Sequence, residues 1–113
     1  MNWIFSFIAP SSPPENFVAM PTDPRTVFLT WDPSPPEDRN GPIIGYIINV
    51  TVVGTGEMFQ LTSPTNTLRV SSLRPFSTFV CVIAARTPVG LGPFSMTVTV
   101  TTPEDGKACE PLY

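Results

Sequence analysis

TVFLTWD, residues 26–32, sets Val27, Leu29 and Trp31 at alternate positions, with Phe28 and Thr30 between them. In an extended chain, side chains two apart share a face. This stretch is therefore expected to be a strand that turns three apolar groups, one an indole, into a core. The same alternation governs TFVCVIAAR (78–86), with Phe79, Cys81, Ile83 and Ala85 set against Val80, Val82 and Ala84. It also governs YIINVTV (46–52), with Tyr46, Ile48, Val50 and Val52 set against Ile47, Asn49 and Thr51. Trp31 and the Tyr46/Ile48/Val50 set are expected to meet Phe79, Cys81 and Ile83. Each large side chain buried there stabilises by about 1.5–3 kcal/mol, less the chain entropy lost on ordering.

Outward from these three segments, shorter ones repeat the pattern. NFVAMP reads as a first strand ending before Pro21, because proline cannot donate to a ladder. IIGYIINVTV (43–52) contains the central segment, followed by MFQLT (58–62) and TLRV (67–70). SMTVTVTT (95–102) closes the set with Val98 and Val100 inward. Turn signals separate them: DPSPPEDRNGP (32–42), GTGE (54–57), SPTN (63–66) and PVGLGP (88–93). Seven short strands at regular spacing predict an all-β fold, a seven-stranded antiparallel β-sandwich of two sheets.

Composition narrows the function classes. A chain of 113 residues suits one domain. At this size roughly 65% of the unfolded surface is buried, enough for one core without staples. The 15 prolines oppose long helices. A net charge of −3 with only 6 basic residues offers no field for nucleic acid. The chain has no histidine, the commonest general base and a frequent metal ligand. No nucleophile has a base placed for it, so no catalytic residue, cofactor or metal is expected. No apolar run reaches the 18 or so residues that span a bilayer, so direct membrane insertion is not expected. MNWIFSFIA (1–9) is apolar, but it lacks a preceding Lys or Arg and meets Pro10 where cleavage would fall. It reads as an alternative-start remnant or the end of a preceding segment, and it could pack on the domain, since Trp3, Phe5 and Phe7 alternate as in a strand.

TVFLTWDP, GPIIGYIINV, LRPFSTFVCVIAA, GLGPFS and TVTVTTPED, in this order, resemble a fibronectin type III domain, an immunoglobulin-like sandwich. The resemblance runs from about residue 12 to 105. It implies a tail or linker over 1–11, the domain over 12–103 and a second tail or linker over 104–113. The wording of the strands is most similar to repeats of receptor-type tyrosine phosphatases and sidekick-like cell-surface proteins. The implied role is a non-catalytic module of a cell-surface receptor ectodomain, a spacer and an adhesion or protein-interaction unit. Its partners would be other proteins or neighbouring repeats, and its place the extracellular part of a plasma-membrane glycoprotein. An intracellular structural repeat of a giant muscle-type protein is the alternative. The phosphatase nucleophile loop has no counterpart: Cys81 and Arg86 are five apart, but on a strand and without glycines. An RGD in the 88–93 loop and a WSxWS box are also absent from the sequence.

The resemblance maps the family's inter-sheet packing residues onto Trp31, Tyr46, Leu73 and Phe79. Position 79 is usually tyrosine, and phenylalanine fills the core without the hydroxyl bond to the backbone, a loss of roughly 1 kcal/mol. Asn49-Val50-Thr51 is an N-glycosylation sequon on the solvent-facing side of its strand. Ile47, Val80, Val82 and Ala84 are expected to form an outward apolar stripe, a possible interaction surface. Cys81 is expected to be a small buried hydrophobe. Cys109 lies past the last strand, and pairing with Cys81 would need the tail to fold back into the core. Asp32, Glu37 and Asp38 lack calcium-loop spacing and read as a solvated acidic loop.

Overall fold

The computed structural model describes residue 10, residues 12–34 and residues 42–104. It contains strands β1 (Glu15–Asp23), β2 (Thr26–Asp32), β3 (Gly45–Val52), β4 (Met58–Ser63), β5 (Thr67–Val70), β6 (Thr78–Arg86) and β7 (Val98–Thr101). One sheet has the order β1-β2-β5 and the other β4-β3-β6-β7. Every ladder is antiparallel. Among the described residues no helix occurs. The fold is the expected seven-stranded sandwich. The segment 1–9 with its three aromatic residues, Glu37, Asp38 and Cys109 lie outside the described residues.

The period-2 pattern becomes the core directly. Val27, Leu29 and Trp31 of β2 are buried, as are Tyr46, Ile48 and Val50 of β3 and Phe79, Cys81, Ile83 and Ala85 of β6. These residues form one cluster with Val70, Leu73 and Val100. Trp31 joins the layers: its ring lies 5.3 Å from Tyr46 across the sandwich and 6.1 Å from Phe17 of β1, both near edge-on. Edge-to-face pairs at these distances add about 0.5–1.5 kcal/mol beyond the area they bury.

Three strand ends depart from the sequence reading by two residues or more. β1 continues through Pro21 to Asp23 instead of stopping before the proline. Among the described residues it is an edge strand paired with β2 alone, where a missing N–H is tolerated, and its register shifts between Pro21 and Asp23. β3 begins at Gly45, two residues later than expected. A side chain at Gly45 would bring its Cβ to 3.2 Å from the Ser63 carbonyl oxygen. β7 begins at Val98, three residues late. Upstream, Ser95 N–H still donates to the Ile83 carbonyl at 2.8 Å, but the Ser95 hydroxyl, in place of a carbonyl, accepts from the Ile83 N–H at 3.2 Å.

The two ends of the sandwich are distinct. Pro10 packs against Gly92, in the loop between β6 and β7. At the opposite end the corner between β5 and β6 meets the chain leaving β7. There Phe76 N–H donates to the Pro103 carbonyl at 3.0 Å and Leu73 N–H to the Arg25 carbonyl at 3.0 Å. Ser72 and Phe76 hold φ of 61° and 49° in this corner, left-handed values that a bulky residue adopts only under constraint.

Candidate functional site

Asn49 lies in the middle of β3, with Gln60 of β4 on one side and Val82 of β6 on the other. Alternation turns it away from the core, and it is half-buried among its neighbours. Gln60 Nε2 donates to Asn49 Oδ1 at 3.0 Å. Thr51, the sequon's third residue, is also half-buried and stands between Met58 and Val80. Both sequon side chains thus share the outer face of the four-stranded sheet, with the amide oxygen oriented by a cross-strand partner.

The outward apolar stripe is smaller than expected. Ile47 is only 8% exposed and Ala84 fully buried. Both sit on interior strands and face each other directly, with Thr62 on the far side of Ile47. A methyl group at Ala84 is too short to rise above the larger side chains beside it. What remains is Val80 and Val82, each half-buried, flanking the sequon. Alternation shows which way a side chain points, but not how far its neighbours overtop it.

The structure places Trp31, Tyr46, Leu73 and Phe79 in the core. The Trp31 indole N–H is buried without a hydrogen-bond partner among the described residues. Thr102, which no sequence signal singled out, is fully buried at the β5–β6 corner. Its hydroxyl donates to the Arg74 carbonyl at 2.9 Å and accepts from Ser77 N–H at 3.0 Å. Thr102 N–H donates in turn to the Ser77 carbonyl at 2.9 Å. The corner that lacks a tyrosine hydroxyl at Phe79 is therefore laced from the strand that follows it. A threonine amid a TVTVTT run carries the same local signal as any strand residue.

Titratable chemistry is sparse. Burial pushes the Cys81 thiol up to about 11. A neutral buried thiol is neither nucleophile nor metal ligand. We expect Cys81 to resist alkylation at pH 8 in the folded protein and to react within minutes in denaturant; peptide mass analysis after an iodoacetamide pulse distinguishes the two. The raised folded-state value contributes stability below the thiol's ordinary value of 9.0, and this is lost as pH rises toward 11. Asp32 accepts from Asn16 Nδ2 at 2.7 Å. Among the described residues no group of three His, Cys, Asp or Glu could hold a metal ion. An open cleft at the β5–β6 corner, about 450 Å³, has Arg25, Glu57 and Arg74 on its walls and Leu73 and Phe79 at its apolar base.

The family model for the fibronectin type III domain matches residues 12–101. Protein sidekick-1 of Homo sapiens is 34% identical over 97 residues, covering 82% of this chain and 4% of that protein. Tyrosine-protein phosphatase Lar of Drosophila melanogaster is 33% identical over 98 residues, covering 85% and 5%. Cell adhesion molecule DSCAM of Gallus gallus is 28% identical over 110 residues, covering 91% and 5%. The chain thus spans 4–5% of the length of these curated relatives. The crystal structure of the FN5 domain of Drosophila Lar superposes with a TM-score of 0.68 at 27% identity, covering 84% of this chain and 98% of that one.

Proposed function

The chain belongs to the fibronectin type III family, a non-catalytic β-sandwich module, and we propose that it serves as a spacer and protein-interaction unit in the ectodomain of a cell-surface receptor. In this reading residues 12–103 form the module, and 1–11 and 104–113 connect it to neighbouring segments. The observation that supports the reading best is the kinship over 110 residues with a protein named as a cell adhesion molecule. The match to Lar supports a receptor-phosphatase parent in particular. No phosphatase chemistry would then reside in this module; its part is to hold surfaces at a set distance and present them to other proteins.

An extracellular address makes Asn49 a glycosylation site. Its side chain stands on the outer sheet face, and Thr51 completes the sequon beside it. When the chain is secreted from animal cells behind a signal peptide, the peptide containing Asn49 is expected to carry a mass increment that an N-glycan amidase removes. Asn49→Gln and Thr51→Ala should each abolish it. An unmodified Asn49 peptide from secreted material would count against the extracellular reading and favour the intracellular repeat.

A further inference from the structure

We propose that β4 is a strand-addition edge and that its occupant is a second copy of this chain, paired antiparallel in a register centred on Gln60. The backbone of β4 determines which of its groups are open. Val52 N–H donates to the Glu57 carbonyl at 2.7 Å, making a bonded pair at the head of the β3–β4 ladder. Bonded and non-bonded pairs alternate along an antiparallel ladder. The pairs Thr51–Met58, Asn49–Gln60 and Ile47–Thr62 are therefore non-bonded. On the other side of β3, Val53 N–H donates to the Thr78 carbonyl at 2.9 Å. That assigns the odd residues of β3 to β6 and leaves the even ones for β4, in agreement. Met58, Gln60 and Thr62 thus turn their N–H and C=O groups away from β3, and among the described residues β4 ends its sheet.

This edge lacks the devices that blunt the other three. β1 carries Pro21 and two register shifts. β5 and β7 have four residues each, and β5 includes Arg69. β4 runs six residues in unbroken register with β3, with no charge and no proline. Charge, proline, bulges and brevity are the usual protections of an exposed edge.

The open groups also select the partner. With Gln60 opposite its own copy, Met58 faces Thr62 and Thr62 faces Met58. All outward groups are then used in three bonded pairs of two hydrogen bonds each. Sliding two residues either way puts Pro64, which has no N–H, or Gly56, which lies in the turn, opposite a bonding position. The centred register also sets Glu57 against Ser63, so no like charges meet. On the outer face Met58, 63% exposed, gains a neighbour. The contact is isologous and each copy has one such edge, so assembly closes at a dimer. An interface of this size falls in the weak, transient class.

The test uses the full 113-residue chain made without carbohydrate. Sedimentation equilibrium should show a concentration-dependent dimer and nothing larger. Gln60→Lys and Gln60→Glu each place like charges directly opposite and should weaken association about fivefold or more. Mixing the two variants should restore it, because only a register centred on residue 60 sets that side chain against its own counterpart. Thermal melting followed by circular dichroism checks that both variants remain folded. The proposal is overturned by a wild-type chain that stays monomeric at its highest soluble concentration, or by growth beyond a dimer. It is equally overturned by single variants that associate like wild type, or by a mixture that associates no better than either alone.

Discussion

Replacing Trp31 by alanine will lower stability by about 3–5 kcal/mol, a large part of what a domain of this size possesses. The indole lies near edge-on against two rings, Phe17 within its own sheet and Tyr46 across the sandwich. Its removal leaves a void between layers that rigid ladders close poorly. Trp31→Phe will cost far less, about 1–2 kcal/mol, because the indole N–H has no partner to lose among the described residues and most of the apolar area remains. Urea unfolding followed by circular dichroism measures both. If the two losses prove equal, the layers are not joined through this ring.

The second large effect belongs to Thr102. Its side chain is fully buried, and one hydroxyl serves both the Arg74 carbonyl and the Ser77 N–H. Valine has nearly the same shape but strands both backbone groups, each at a cost of about 1–3 kcal/mol. Thr102→Val is expected to lose about 2–4 kcal/mol. Thr102→Ser keeps the hydroxyl and forfeits one methyl, about 0.8 kcal/mol. Denaturant midpoints of the two variants separate the roles: equal losses would show that the residue acts by filling space and not by lacing the corner.

The contrast between Trp31 and Thr102 also marks what the sequence could reveal. β2, β5 and β6 occupy 26–32, 67–70 and 78–86, the spans read from alternation alone. In those segments the local pattern and the tertiary demand coincide, since each inward side chain is apolar and each turn has its own breaker. Pro21 misled because its effect depends on whether a strand lies on its N–H side, and edge position is set by sheet order. Ser95 shortened β7 because a side-chain hydroxyl competed with the backbone, a choice settled by distance to Ile83 and not by propensity. For Ile47 and Ala84 alternation gives the face but not the exposure, which depends on the neighbours that register sets beside them. Of the site, Asn49 and Thr51 were legible as a motif. The Gln60 amide that orients Asn49 was not, because their pairing depends on register between strands.

The chain enters at one end of the sandwich and leaves at the other, with Pro10 against Gly92 and Pro103 against Phe76. A pull between those ends therefore runs lengthwise along β1 and β7, so that the crosslinks to β2 and β6 are sheared together and cannot be peeled one by one. Two threads would resist detachment of the last strand: the Phe76–Pro103 bond and the Thr102 hydroxyl at the same corner. Under tension, the residue that holds this corner at rest would also act as a latch against rupture.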